Sequence, residues 1–274
     1  MNPIQSHALI ISADDYGMSE AIDAGILDLI ARGRVSATAC MVNSPRWPQA
    51  AQHLRIVPAT QVALGLHLDL TEFGEGARPL KQLITASLLR RLDGADLRTR
   101  IDAQFARFEE AIGRAPDYVD GHQHVHQLPQ VRSALLDVLA TRGLKPWLRI
   151  SAPPWRPWRG DGLKRAVIRF LGARALANAA RRQGLATTDR LLGVYAFDAD
   201  DARYLHLVER WLHQLSTRSA LMCHPAERVD TADALGHARH TEYCVLAGAA
   251  FGQLLSSGRI RLATHPDEIG RAHV

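Results

Sequence analysis

Cysteine is scarce in this chain of 274 residues, which contains three. Cys40, Cys223 and Cys244 lie far apart and form no C-x-x-C pair. This spacing argues against a disulfide framework and against a zinc site built from thiolates. We expect each cysteine to be an ordinary small core residue.

Long hydrophobic runs are also missing, although 47% of the residues are hydrophobic and 22% are charged. No run reaches the roughly 18–20 apolar residues that span a bilayer. The first six residues lack the basic and apolar regions of a secretory signal peptide. We therefore expect a cytoplasmic protein with a sizeable core and no membrane span.

Glycine-rich phosphate-binding motifs are absent as well. No Gly-x-Gly-x-x-Gly follows the first predicted strand and no Gly-Lys-Ser/Thr loop occurs, so dinucleotide-binding and P-loop functions lose their main support. The net charge of +5 raises the question of a polyanionic partner. The arginines are scattered, however, and the basic stretch 164–174 is typical of a solvated helix face, so we predict no nucleic-acid partner.

The chain does contain a regular alternation of short apolar strands and helices. Strands are predicted at 7–13, 35–42, 62–70, 117–121, 146–151, 191–197, 219–223 and 259–263. Helices are predicted at 20–32, 97–112, 130–142, 163–182, 201–215 and 241–256, with a short one ending at His53. Seven or eight such units in one run predict an α/β fold, a single distorted (β/α) barrel of seven or eight parallel strands, with an open doubly wound sheet as the alternative.

Two segments interrupt this alternation within the single predicted domain, 1–274. Residues 71–96 indicate an insertion over one end of the sheet, with a short helix near 83–92. Residues 153–162 are rich in proline and tryptophan, and we interpret them as a loop at the rim of the site.

Polar side chains cluster where predicted strands end. They are Asp14 and Asp15 after strand one, His67 and Asp69 at strand three, Asp120 and His122 at strand four, and His224 at strand seven. In a parallel barrel the carboxyl ends of all strands meet on one face, where barrel enzymes keep their active sites. The pattern therefore predicts one site.

The pair Asp14-Asp15 is the first candidate for chemistry there. Such a pair is usually a turn or a helix cap. Adjacent residues on an extended segment point in different directions, so one carboxylate could bind a metal while the other faces the substrate, which suits hydrolysis. His67 interrupts an apolar strand, and opposite an Asp pair we interpret it as a metal ligand.

Three histidines follow the fourth strand at alternate positions, His122, His124 and His126. His122 and His124 would share a side if the strand continued, whereas His122 and His126 would do so if a helical turn began. The pattern alone does not choose the ligand. The others would orient ligands or contact substrate, and Asp120 is a candidate partner for a ligating imidazole.

The segment Met222-Cys223-His224-Pro225 ends the seventh strand. The proline favours an extended His224 and stops the strand. A histidine with an ordinary pKa is well suited to protonate a leaving amine.

These segments resemble those of the YdjC-like carbohydrate deacetylases, which include chitooligosaccharide deacetylases and hopanoid-biosynthesis-associated members. The matching blocks are Ala13-Asp14-Asp15-Tyr16-Gly17, Gly65-Leu66-His67-Leu68, Asp120-Gly121-His122-Gln123-His124-Val125-His126 and Met222-Cys223-His224-Pro225. They come in the family's order between residues 9 and 226. The resemblance implies a distorted βα barrel, one divalent metal ion (Mg²⁺ or Zn²⁺) and a small N-acetylated sugar as substrate.

By position, the resemblance makes Asp15, His67 and His122 the metal ligands, Asp14 the general base and His224 the acid. The remaining polar residues, Asp69, Asp120, His124 and His126, are expected to bind substrate or support the ligands. The implied reaction is removal of the N-acetyl group by a metal-activated water. A homodimer is a further hypothesis.

Two other functions remain open from the residues. A metal-dependent phosphoesterase on a similar barrel would need a second metal about 3.5–4 Å from the first, for which Asp69, His124 and His126 are available. A non-catalytic, polyanion-binding protein would bind no metal and would be insensitive to changes at Asp14.

Overall fold

Eight parallel strands form one curled sheet in the part of the chain that the computed structural model describes, residues 7–154, 170–215, 218–257 and 260–268. The strands are β1 (His7–Tyr16), β2 (Ala37–Cys40), β3 (Ala63–Leu68), β4 (Tyr118–Gly121), β5 (Trp147–Leu148), β6 (Arg190–Leu192), β7 (Ser219–Cys223) and β8 (Ile260–Leu262). Seven of them follow the order β5-β4-β3-β2-β1-β7-β6, and β8 pairs with the first residues of β1.

The two outermost strands of that order, β5 and β6, come together without a regular ladder. Leu148 donates to the Ala186 carbonyl and accepts from the Thr188 N–H, and Leu191 donates to the Ala152 carbonyl. The predicted distorted (β/α) barrel is therefore confirmed. Its distortion lies beside β5, which is only two residues long.

Helices surround the sheet, and three of those described begin at a residue whose side chain caps the first turn. The described helices are α1 (Glu20–Ala31), α2 (Trp47–Leu54), α3 (Leu80–Leu88), α4 (Gly94–Ile112), α5 (Pro129–Arg142), α6 (Ala173–Arg182), α7 (Asp201–Leu212), α8 (Gly236–Ala247) and α9 (Ala249–Ser256). Ser19, Asp93 and Asp200 accept hydrogen bonds from the first turns of α1, α4 and α7. None of the described helices combines the length and apolar character needed to cross a membrane.

Several predicted boundaries shift. The helix predicted near 83–92 begins at Leu80 and ends at Leu88, and the helix predicted over 241–256 is two helices, separated at Gly248, whose backbone is extended. Residues 155–162 of the predicted loop and 163–169 of the following helix lie outside the described residues. The single domain and the insertion at 71–96 stay predictions.

Side chains along the strands alternate between the barrel interior and the outer layer of helices. On β1, Leu9 and Ile11 pack with the helices, whereas Ala8 and Ile10 belong to a separate cluster of strand residues inside the barrel. In that cluster the Tyr118 and Trp147 rings stack with centroids 4.2 Å apart. By the same alternation, the side chains two positions further along each of these strands also face the barrel interior, near the carboxyl end of the strand.

Candidate active site

A cavity of about 520 Å³ opens at the carboxyl ends of the strands. Six of the nine predicted site residues line it: Asp14, Asp15, His67, His122, His124 and His224. The rest of the described lining is largely apolar and includes Ile84, Leu171 and Phe197. The strand ends therefore bring most of the predicted residues together.

Both members of the Asp14-Asp15 pair reach this cavity because β1 is irregular there. Its register against β2 shifts between Ala13 and Tyr16, and Asp15 has a φ of 71°, in the left-handed region. An irregularity of this kind re-aims side chains next to a site. The expected regular extended backbone at this pair was therefore wrong, and the two carboxylates have different partners.

Asp15 lies between two imidazoles. Its Oδ1 is 3.3 Å from His67 Nε2 and 3.0 Å from His122 Nδ1. The three groups are buried, and each offers a ligand atom within 4.8 Å of the others. One carboxylate and two imidazoles suit a divalent cation and leave coordination positions for water and substrate.

The surroundings of His67 also fit a metal ligand. Its Nδ1 is 2.6 Å from Asp120 Oδ1, the carboxylate–histidine arrangement that orients metal-binding imidazoles. Burial lowers the pKa of His67, but Asp120 and Asp15 outweigh it and raise that pKa to about 10. A cation binding at Nε2 would do so in exchange for a proton.

Asp14 has a different partner, the buried Arg149. The guanidinium contacts both Asp14 oxygens at 2.6 Å, and its Nη2 lies 2.8 Å from Asp120 Oδ2. Such two-point contacts between Arg and a carboxylate fix orientation as well as charge. Burial raises the pKa of Asp120, but Arg149 and His67 lower it to about 2.

A second group of potential ligand atoms consists of Asp14, His67 and Asp120. The Arg149 guanidinium contacts two of these three residues, so a positive charge already occupies that position. This arrangement disfavours a second cation beside the first.

Arg239 of α8 contacts the other side of Asp15. Its Nη2 is 2.7 Å from Asp15 Oδ2, and its Nε is 2.7 Å from Asp233 Oδ2. Burial raises the pKa of Asp15, but Arg239 and His122 outweigh it and hold that pKa well below its usual range. Asp15 is thus anionic, with Oδ1 directed at the histidines.

His224 faces Asp14 across the cavity. Its Nε2 is 3.9 Å from Asp14 Oδ2, and its ring meets the Phe197 ring edge-on at 5.4 Å. Burial lowers the pKa of His224 to about 4 against the opposing effect of the two aspartates. The imidazole is therefore neutral near pH 7.

The three histidines after β4 adopt neither of the two regular continuations. They lie on a 3₁₀ turn in which Gln123 and His124 have φ values of 53° and 63°. His122 is beside Asp15, His124 lines the cavity with Nδ1 2.9 Å from Ser151 Oγ, and His126 is buried with Nε2 2.8 Å from the Arg149 carbonyl oxygen. His126 therefore supports the segment that carries Arg149.

Asp69 is set apart from the cavity. Its carboxylate accepts three backbone N–H groups, from Thr71, Glu72 and Phe73, at 2.7–2.9 Å. Its own backbone N–H donates to Gln104 Oε1. These contacts order the loop that follows β3, so the structure gives Asp69 a role away from the cavity.

Three charged residues at the site were not predicted: Arg149, Arg239 and Glu242. Arg149 did leave a signal, since it is a charged residue in the otherwise apolar segment Trp147-Leu148-Arg149-Ile150. Arg239 and Glu242 lie on a helix with other polar residues, where nothing in the pattern distinguishes them from solvated positions.

Comparison with known proteins gives a consistent picture. The family model described as YdjC-like protein matches residues 8–257. A chitooligosaccharide deacetylase of Escherichia fergusonii is 27% identical over 271 residues, covering 94% of this chain and 98% of that protein. Its counterpart from Citrobacter koseri is 28% identical over 272 residues, with the same coverage. One from Proteus mirabilis is 32% identical over 136 residues, which cover 46% of this chain and 53% of that protein.

Solved structures share the fold. A protein of Enterococcus faecalis described as a candidate cellobiose-phosphate cleavage protein has a TM-score of 0.69 and 22% identity, covering 96% of this chain and 99% of its own. A peptidoglycan N-acetylglucosamine deacetylase has a TM-score of 0.54 and 12% identity, covering 98% and 91%. At these identities the likeness concerns the fold alone.

Proposed function

This chain belongs to the YdjC-like protein family, and on that premise we propose that it is a metal-dependent hydrolase that removes the N-acetyl group from a small N-acetylated sugar. One observation carries the proposal: the buried cluster of Asp15, His67 and His122 lines the same cavity as Asp14 and His224. The relatives that cover nearly the whole chain are named chitooligosaccharide deacetylases, which supports a sugar substrate.

Asp15, His67 and His122 would hold one divalent cation, Mg²⁺ or Zn²⁺. When bound, the cation would polarise the acetamide carbonyl and increase the acidity of a water molecule. Asp120 orients the His67 ring, and Arg239 occupies Asp15 Oδ2 so that Oδ1 faces the two imidazoles. These contacts fix two of the three donors, Asp15 and His67, before any ligand arrives.

We assign the role of general base to Asp14. Arg149 contacts both of its oxygens and Ser12 Oγ also donates to Oδ1, so Oδ2 is the oxygen that keeps a lone pair for a further hydrogen bond. Asp14 takes a proton from the attacking water while the new C–O bond forms at the acetamide carbon. The fixed carboxylate lowers the entropic cost of this step.

His224 would deliver the proton that the leaving amine needs. Because its pKa is about 4, it must receive a proton before it can act as an acid. The proton that Asp14 has taken from water is available 3.9 Å away, measured from Asp14 Oδ2 to His224 Nε2. His224 then gives it to the amine nitrogen as the C–N bond breaks, which releases acetate and the free amino sugar.

The two alternative functions have less support. A two-metal phosphoesterase would need a second cation, and Arg149 contacts two of the residues that could bind it. Asp69, which was also available for that purpose, caps a loop. A polyanion-binding protein gives no reason for a buried cluster of carboxylates and imidazoles.

The test is acetate release from N-acetylglucosamine, N,N′-diacetylchitobiose and longer N-acetylated oligosaccharides. We expect turnover of at least one of them, loss of turnover with a chelator, and recovery on adding Mg²⁺ or Zn²⁺. Glu110→Gln, at an exposed position on α4, is the matched control and should behave as the unaltered protein. No acetate from any substrate with metal present would contradict the proposal.

A further inference from the structure

Glu242 of α8 is a buried acid that the reaction steps above do not use. Its side chain is 1% exposed. Burying a carboxylate is unfavourable unless hydrogen bonds compensate for the lost water. Burial raises the pKa of Glu242 to about 7 in spite of its hydrogen bonds to His224 and Tyr195. The contacts of Glu242 should therefore explain why this carboxylate is buried.

Those contacts join two walls of the cavity. Glu242 Oε2 accepts the backbone N–H of His224 at 2.6 Å, and Oε1 accepts the Tyr195 hydroxyl at 2.8 Å. His224 follows β7, and Tyr195 follows β6 and lines the cavity. One side chain thus fixes the ends of two neighbouring strands relative to each other.

The His224 ring itself has few constraints. In the described residues its Nδ1 is buried without a hydrogen-bond partner, and its Nε2 is 3.9 Å from Asp14 Oδ2, beyond hydrogen-bond distance. Phe197 packs against the ring edge-on. The direction of the imidazole therefore depends on its backbone, and Glu242 accepts the backbone N–H of that residue.

We propose that Glu242 is a positioning residue for His224: by accepting the His224 backbone N–H it keeps the imidazole Nε2 directed at Asp14 for proton transfer. The inference rests on the proposed function, in which His224 transfers a proton. What the role requires is a hydrogen-bond acceptor at this position. A negative charge is not required.

Two substitutions separate the acceptor from the charge. Glu242→Leu removes the acceptor. We expect kcat to fall about tenfold or more, which is part of the rate enhancement that a general acid–base group contributes, and KM to stay within about twofold. Glu242→Gln keeps an amide oxygen for the His224 N–H, and its NH₂ can donate to the Tyr195 oxygen. We expect its kcat within about threefold of the unaltered protein, with Glu110→Gln as the control.

Glu242→Leu leaves the Tyr195 hydroxyl buried without its acceptor, which costs stability. If that variant does not fold, Glu242→Leu combined with Tyr195→Phe removes the unpaired hydroxyl and takes its place. Thermal unfolding of each variant separates loss of folded protein from loss of kcat.

A double-mutant comparison tests whether Glu242 acts through His224. In a His224→Ala background, Glu242→Leu should change the residual rate less than about twofold, since the group it positions is gone. A further tenfold loss in that background would place the effect of Glu242 elsewhere.

Hydrogen exchange at the His224 amide gives a readout that needs no substrate. Glu242→Leu should speed this exchange at least about tenfold, because the amide loses its acceptor, while Glu242→Gln should leave it nearly unchanged. Three results would each overturn the inference. They are unchanged exchange in Glu242→Leu, a kcat of Glu242→Leu within twofold of the unaltered protein, and a loss of kcat in Glu242→Gln equal to that in Glu242→Leu. Absence of acetate release by the unaltered protein would instead overturn the proposed function. The exchange result would still test whether Glu242 holds the His224 backbone N–H.

Discussion

The two ends of the barrel interior are built from the same strands but by opposite means. Toward the amino ends the interior holds small alanines, such as Ala8, Ala37 and Ala63, around the stacked rings of Tyr118 and Trp147. Two residues beyond Tyr118 and Trp147 lie Asp120 and Arg149, buried and in contact. One end is held by apolar packing and the other by paired charges.

The charged end is tolerated because its charges nearly balance. Four carboxylates, those of Asp14, Asp15, Asp120 and Asp233, contact two guanidinium groups, those of Arg149 and Arg239. Two negative charges remain among these six groups; the proton on His67 offsets one of them, and a divalent cation that displaces this proton would balance both. A buried cluster without such compensation would destabilise the fold. The apolar end of the interior stabilises the fold, and this stability offsets the cost of holding charged groups in place at the other end.

The largest expected effect is on rate, from Asp14→Asn at the charged end. The amide cannot take a proton from water, so we expect kcat to fall about 10³-fold while metal content stays unchanged. Acetate release measures the fall in kcat, and elemental analysis of the same sample measures the metal content. Deacetylation near the original rate would remove Asp14 as the base.

The next effect is on stability, from Arg149→Met. The substitution leaves the Asp14 and Asp120 carboxylates buried without their counter-charge, which should lower the free energy of unfolding by about 3–5 kcal/mol. Urea denaturation measures this, with Arg98→Met, an exposed arginine on α4, as the control that should change little. A loss as small as that of the control would mean that the charged end does not depend on Arg149.

A smaller effect should appear in the pH dependence of stability through Glu242. Its pKa is raised from 4.5 to about 7 in the folded protein, so its stabilising contribution is present below about pH 4.5 and is lost as the pH rises through 7. At about 1.4 kcal/mol per pH unit, the difference in unfolding free energy between Glu242→Gln and the unaltered protein should grow by up to about 3 kcal/mol over this window. A difference that does not vary with pH would show that Glu242 titrates normally.

The smallest effect is expected at the packed end, from Gly65→Ala. A Cβ at Gly65 would overlap the Tyr118 ring, so the added methyl overpacks the interior. We expect a loss of about 1–3 kcal/mol in unfolding free energy, with metal binding retained. Loss of metal without loss of stability would mean that the two ends are not separate in function.

Residues with ligand chemistry were predictable because their type and their place at strand ends are visible locally. The strand-end pattern indicated one site but did not choose among its histidines; the resemblance implied Asp15, His67 and His122 as the ligand group, and these three residues lie together. Arg149 was within reach of the same reasoning. It occupies the position two residues after Trp147, as Asp120 does after Tyr118, so strand alternation would have placed both inside the barrel.

Other features depend on backbone geometry or on distant parts of the chain. The left-handed residues Asp15 and His124 decide which way their neighbours point, and no pattern of residue types indicated them. Glu242 becomes a site residue only because α8 packs its carboxylate against His224, 18 positions earlier in the chain. Partners of this kind are set by tertiary packing, which local periodicity does not describe.

The central claim is that Asp15, His67 and His122 form one metal site, and equilibrium dialysis with Mg²⁺ or Zn²⁺ tests it most directly. We expect the unaltered protein to bind one ion tightly per chain, and His67→Ala to weaken that binding by two orders of magnitude or more, roughly the upper range for disturbed metal sites. His206→Ala, at an exposed position on α7, should bind as the unaltered protein does. One tightly bound ion retained by a folded His67→Ala variant would contradict the account.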